Sequence, residues 1–410
     1  MVSLARPTTT PVGRAVSSAH GPLGHLLLWF PREAAVRRGY REVYADLFAR
    51  LPATTLVTAL VHPGAVEVLT ELLDRSGRHA TTTLVPSGDD LRFSVWAQDP
   101  CLVVRDDGDG MRLLTPSGFD RQQDARAVEV IADAIGAEVV PTGLAFHGGD
   151  VLSGDDFVLV GRHGLDATVA MLADDPAVAA GADPHALALE RFTDLVAGDR
   201  RLWIVGTEQA LPEQRLRTTR VRGRAVIEIL PGGGGSPHPL IHLDMFLTLA
   251  GRGPDGRYRL LLGSPALADE ILGRATVDEA LAEHLDDIAA QLVDEGFEVV
   301  RNPLPLTYGH GRREVDGELC DVRLWYLATS NNCLVQVDED AGHEVWLPTY
   351  GHGAWRELAA TDEASRRIWE QLGFEVHQLT GFHTFTQRFG ALHCIAKELD
   401  RRPVPPAQGG

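Results

Sequence analysis

Cysteine is scarce in this chain. Four are spread over 410 residues, at positions 101, 320, 333 and 394, with no paired CxxC spacing. Such spacing excludes a secreted disulfide scaffold, so no disulfide is needed and a reducing, cytoplasmic setting is expected. Basic residues are also in short supply, 38 Lys and Arg against 57 Asp and Glu, for a formal charge of −19. Nucleic acid is therefore not an expected partner, because phosphate backbones reward basic patches. A cationic small molecule or peptide suits the long-range field better. Long apolar runs are missing. Leu26-Leu27-Leu28-Trp29-Phe30 is too short for a membrane span or a secretory segment, so no membrane partner is expected and the run reads as a first core strand. Gly232-Gly233-Gly234-Gly235 has no Gly-Lys-Ser/Thr after it, and reads as a flexible turn rather than a phosphate cradle.

What is present is ample apolar content, 44% of the residues, enough for a large core. Residues 1–22, rich in Thr, Ser, Pro and Ala, are expected to be disordered, as is the Pro-rich tail 401–410. The span 23–400 is expected to form one domain. Within it an amphipathic run, a glycine and an apolar strand recur five times, with the glycines at 77, 136, 198, 296 and 373. A glycine there suits the left-handed residue that closes a helix. Three of the junctions share Gly-[Ala/Phe]-Glu-Val, a sign of internal repetition. Alternating helices and strands predict an α/β protein. Five units with extra strands between them point to radial repetition rather than one continuous sheet.

Several short motifs carry polar groups suited to chemistry. Cys394, in Ala391-Leu392-His393-Cys394, has no thiol neighbour in sequence and is read as a nucleophile, which needs carboxylates and a proton carrier around it. In Trp96-Ala97-Gln98-Asp99-Pro100 an aromatic wall stands beside a carboxylate, an arrangement that receives a planar cation or merely makes an Asp-Pro turn. His147-Gly148-Gly149-Asp150 is a tight turn in which Asp150 serves as a cap or as part of a site. Ile241-His242-Leu243-Asp244 places a histidine and a carboxylate on one face of an extended segment, for proton transfer and cation binding. With His238 the same residues offer a metal-binding alternative, which the prolines flanking His238 disfavour; no metal or other cofactor is expected. His310 and His352 fall in repeated Thr-Tyr-Gly-His-Gly stretches and read as glycine turns. Asn332, entering a strand, orients a substrate or satisfies the strand end.

The order Trp-x-x-Asp, Gly-Gly-Asp, His-x-Asp, Asn-x-Leu and a late His-Cys resembles the guanidino-group-modifying enzymes of the pentein fold. Within them the set is most similar to the protein- or peptidyl-arginine deiminases and the agmatine deiminases. The resemblance spans roughly residues 24 to 400 and implies a five-bladed α/β-propeller of ββαβ modules. It implies that Asp99 and Asp244 clamp a guanidinium, that His242 is general acid and base, that Cys394 attacks, and that Asn332, Trp96 and Asp150 lie at the substrate. The implied reaction is hydrolysis to a ureido product and ammonia. Transfer of the amidino group to an amine is a rival, and so is a non-catalytic pentein that binds a cation. Two departures stand out. His147 occupies a position where enzymes acting on free arginine tend to carry an acid, which favours peptidyl or derivatised arginine. Ala396 stands where a threonine often follows the cysteine by two.

Overall fold

Each of the five expected helix ends carries its glycine in the left-handed region. The helix Val66–Ser76 stops at Gly77 (φ 67°) and the helix Gln122–Ile135 at Gly136 (φ 69°). Pro184–Phe192 runs through a wider turn to Gly198 (φ 64°), while Glu279–Asp294 and Ala359–Gln371 are followed by Gly296 (φ 93°) and Gly373 (φ 92°). A side chain at these positions would meet the following carbonyl, so glycine turns the chain back toward a strand at least strain. The computed structural model describes residues 13–402, except 107, 109, 209, 210, 213, 214, 222, 233–237 and 316. The Gly233–Gly235 run lies outside the described residues.

The result is a mixed α/β fold of several sheets. Five of them share one plan, an antiparallel strand pair followed through a helix by a parallel third strand. Leu102–Arg105, Met111–Thr115 and Glu138–Pro141 form one such set, and Val151–Ser153, Phe157–Gly161 and Arg201–Val205 the next. Leu247–Arg252, Tyr258–Ser264 and Glu298–Pro303 follow, then Leu334–Asp338, Gly342–Pro348 and Glu375–Leu379. The last set joins the two chain ends: Ala396–Asp400 pairs antiparallel with His25–Phe30, which is parallel to Leu56–Val61. Helices cover these sheets through apolar stripes. Leu281, Leu285, Ile288 and Leu292 recur at helical spacing on Glu279–Asp294, are all buried, and share a core with Leu260, Leu261 and Leu262.

Three expectations change. Of the leader expected to be disordered, residues 1–12 lie outside the described residues, but 13–22 are held: Arg14–Ala15 pairs with the edge strand Leu102–Arg105, and the Ser18 amide donates to the Ser153 carbonyl. Of the tail, 403–410 lie outside the described residues, whereas Arg401 is buried and donates to the carbonyls of Ser17, Ser18 and Val335 and to Glu398. Its five donors satisfy carbonyls that the incoming N-terminal segment leaves open, which ties that segment to the last strand. The stretch with His310 is not a turn. It opens the strand Leu306–Val315, paired with Glu318–Leu327 in a hairpin that joins the hairpin Leu216–Val221 and Arg224–Ile229. His310 is exposed there, and His352 accepts from the Gly381 amide at 3.3 Å. Among the described residues no helix is long and apolar enough to cross a membrane.

Candidate active site

The strand Ala396–Asp400 begins immediately after a one-turn helix, His393–Ile395, and that turn sets Cys394 at the floor of a cleft of about 430 Å³. Asn332 holds it there. The Asn332 side-chain oxygen accepts from the Ala391 and Cys394 amides at 3.1 and 3.2 Å, and its amide group donates to Cys394 Sγ at 3.1 Å and to the Asp244 carbonyl at 3.2 Å. Asn332 is wholly buried behind the thiol and does not line the cleft. Phe389, just before the turn, is the one non-glycine residue at positive φ (64°) among those described, and with Trp96 it supplies apolar wall. Such strain persists where the surroundings over-determine it.

Two carboxylates flank the thiol. His242 is extended, but the chain then bends through a short helix, Leu243–Met245, so the two residues do not share one face of a strand as expected. The bend sends Asp244 inward. Its Oδ2 accepts from His393 Nδ1 at 2.8 Å and lies 3.5 Å from Cys394 Sγ, while Oδ1 is buried with no hydrogen-bond partner. Asp99 lines the same cleft as Cys394. Its Oδ2 accepts from Arg121 Nη2 at 2.6 Å, and its Oδ1, 3.9 Å from His242 Nδ1, is likewise buried and without a hydrogen-bond partner. Each of the two carboxylates thus keeps one buried oxygen without a hydrogen bond, a costly arrangement.

The histidines fill the roof. His242 Nε2 and His147 Nδ1 are 3.0 Å apart, so one ring donates to the other. His147 packs on Phe119, over which Arg121 stacks at 5.0 Å. Arg121 is anchored as well by Asp124 (2.7 Å), which accepts from the Ser94 amide and hydroxyl, both at 2.7 Å. His163 and His238 stand further out on the cleft wall. Asp150 lies apart from Cys394, fully buried on a neighbouring cavity of about 190 Å³ that also touches His147 and His163.

These placements set the charges. Burial, with Asp244 and Asp99 adding to it, pushes the Cys394 thiol well above its ordinary range, which favours the protonated form. Burial also pushes Asp150 well above its ordinary value, with Asp244 adding to the shift and backbone donors at Gly164 and Leu243 opposing it. Burial would raise Asp99, but His242, Arg121 and His147 outweigh it and hold it low and ionised. For His393 burial works downward, and Glu398 and Asp244 overcome it, so the imidazolium is favoured. His147 is driven down to about 4, by burial first and then by His242. An unfolded His147 would protonate below its ordinary pKa of about 6.5, while the folded one resists down to about 4. Stability should therefore fall as pH drops through that window, by at most about 1.4 kcal/mol per unit from this group. Thermal melts of His147→Gln are expected to show a shallower loss between these pH values than the wild type, with the two curves parallel above it.

The structure thus brings Cys394, Asp99, His242 and Trp96 around one cleft, places Asp244 and Asn332 buried against the thiol, off the cleft lining, and leaves Asp150 one cavity away. Sequence reasoning gave no role to Arg121, His393 or the His147 contact. Only His393, adjacent to the cysteine, carried a local signal. Two groups here also bring one metal-ligand-type atom each within 4.8 Å of one another, Asp99 with His147 and His242, and His242 with Asp244 and Cys394. The chemistry of thiol, imidazole and carboxylate serves a nucleophile equally well.

No family model and no curated protein sequence matches the chain. Among solved structures it is similar to C. jejuni agmatine deiminase, with a TM-score of 0.54 at 12% identity over 95% of this chain and 96% of that one. The likeness defines a shared fold, mixed α/β from end to end.

Proposed function

We propose that the chain is a cysteine-dependent hydrolase that converts an arginine-type guanidinium, on a peptidyl or derivatised arginine, to a citrulline-type ureido group with release of ammonia. The observation that carries this reading is the pair of buried carboxylate oxygens without a hydrogen-bond partner, Asp99 Oδ1 on the cleft that Cys394 also lines, and Asp244 Oδ1 in the carboxylate whose other oxygen lies 3.5 Å from Cys394 Sγ. A planar cation with paired N–H groups satisfies both. The five ββαβ sets are read as five blades around the site, in keeping with the deiminase fold, and Trp96, Phe389, Met245 and Leu327 offer apolar wall to a methylene stem. His147, in place of an acid, removes a carboxylate that a free amino acid's ammonium group would otherwise meet.

The cation itself arms the nucleophile. Its charge beside the carboxylates reverses the local field that keeps Cys394 protonated, and as the guanidinium settles the thiol proton passes to His242, whose ring nitrogen lies within 4.8 Å of the sulfur, leaving the thiolate. The sulfur attacks the guanidinium carbon, His242 hands a proton to the departing nitrogen, and ammonia leaves a thiouronium on Cys394. His242 then takes a proton from water as it adds to the same carbon. The C–S bond breaks, the ureido product departs and the sulfur is freed. His393, hydrogen-bonded through Nδ1 to Asp244 Oδ2, keeps that carboxylate against the thiol.

Asp99→Asn and Asp244→Asn test the clamp. An amide loses the charge and one acceptor, and removing one partner of a desolvated pair costs about 2–5 kcal/mol, roughly tens to thousands fold in kcat/KM. Ammonia and ureido assays on arginine, agmatine and arginyl peptides, with and without amine acceptors, would read the loss and separate hydrolysis from amidino transfer. Activity retained by both variants would overturn the clamp.

A further inference from the structure

Two histidines meet beside a carboxylate on the cleft, a contact that the reaction above does not need. His147 and His242 come from turns 95 positions apart, and His147 Nδ1 stands 3.0 Å from His242 Nε2. On the other edge of the His242 ring, Nδ1 lies 3.9 Å from Asp99 Oδ1, an oxygen that is buried and has no hydrogen-bond partner. One donor atom from each of the three residues lies within 4.8 Å of the other two. A tetrahedral zinc ion with bonds of about 2.0–2.1 Å spaces its ligand atoms about 3.4 Å apart, so shifts of about an ångström close this set around one. Two imidazoles and a carboxylate are also donors that zinc takes readily, and they leave a fourth position to solvent.

The surroundings hold the donors in place. Asp99 is 3% exposed and its Oδ2 is occupied by Arg121 at 2.6 Å, which leaves Oδ1 to an ion. Arg121 brings a positive charge close to that ion, but Asp99 and Asp124 both pair with it, and Asp120 adds a further negative charge on the cleft wall. The His147 ring packs on Phe119 with centroids 5.1 Å apart. All three donors line the cleft, so an ion reaches them from solvent. The other set, His242 with Asp244 and Cys394, is less suited. Its carboxylate lies off the cleft lining, and the oxygen nearest the sulfur already accepts from His393 at 2.8 Å.

We propose that Asp99, His147 and His242 form an inhibitory zinc site, in which the ion occupies the carboxylate oxygen and the imidazole that turnover requires. The site stands on its geometry; its inhibitory effect rests on the guanidinium reading above. Equilibrium dialysis of the full chain, first stripped with a chelator, should find one Zn²⁺ per chain. His147→Gln and Asp99→Asn should each weaken that binding by at least about 10–100-fold, the loss that even an outer partner of a metal ligand brings. Cys394→Ser should bind as the wild type does. The reverse pattern, with Cys394→Ser weakened and His147→Gln unchanged, would move the ion to the other set and overturn the assignment, as would absence of binding. Should the variants fail to fold, Co²⁺ in the wild type decides: a strong near-ultraviolet thiolate-to-cobalt band would place the ion on Cys394, and its absence is expected. In turnover of an arginyl peptide, Zn²⁺ should inhibit and a chelator restore the rate, with His147→Gln less sensitive. Zinc bound in the expected pattern with turnover unimpeded would overturn the inhibitory role and the use of Asp99 and His242 in catalysis. A wild type that turns over no guanidine substrate would remove the guanidinium reading and leave the zinc site to the dialysis.

Discussion

Cys394→Ser is expected to fold as the wild type does and to release no measurable ammonia from any guanidine substrate. The substitution changes one atom held by Asn332 and leaves the cleft intact. The chemistry is another matter. Serine's hydroxyl is far less ionised than the thiol, and in a site already set against an anion by burial, Asp244 and Asp99 a bound cation cannot make an alkoxide of it. Circular dichroism and the thermal midpoint would establish the fold, and the ammonia assay the loss. Substantial turnover in a folded Cys394→Ser protein would falsify the nucleophile assignment.

His242→Ala should fail in a different way. The ring stands 3.9 Å from Asp99 and 3.0 Å from His147, at the cleft and clear of the sulfur's own hydrogen bonds. Its removal takes away the proton carrier but leaves both free carboxylate oxygens. Binding of an unreactive guanidine should persist, while kcat falls by about 10²–10⁴-fold. His147 is no ready substitute, because a group driven down to about 4 is a weak base at neutral pH. A loss confined to KM would assign His242 to binding rather than proton transfer. The metal alternative has its own signature. A chelator would silence the wild type, Zn²⁺ would restore it, and Cys394→Ala would stay active.

Much of the fold was legible because it depends on local choices. A helix that must turn back needs a left-handed residue, and glycines 77, 136, 198, 296 and 373 announced five such turns before any contact was known. Residues 13–22 and Arg401 were not legible, because their order comes largely from partners far off in sequence, such as Arg105 for Arg14 and Ser17 for Arg401. The site divides along the same line. Cys394, His242 and the two aspartates sit in short motifs. Arg121 opens a helix 22 positions after Asp99 with nothing around it to mark an ion pair. The bend at Leu243–Met245 shows the limit of spacing arguments: His242 lines the cleft while the turn carries Asp244 inward against the thiol, where alternation on a strand had been expected to align them.

The most direct measurement is rapid acid quench of the wild type during turnover of an arginyl peptide, followed by peptide mapping. A thiouronium intermediate predicts a mass increase on the peptide that contains Cys394, present before steady state and absent from those containing Cys101, Cys320 or Cys333. Ammonia release at full rate with Cys394 unmodified at every quench time, and with turnover surviving in Cys394→Ser, would contradict it.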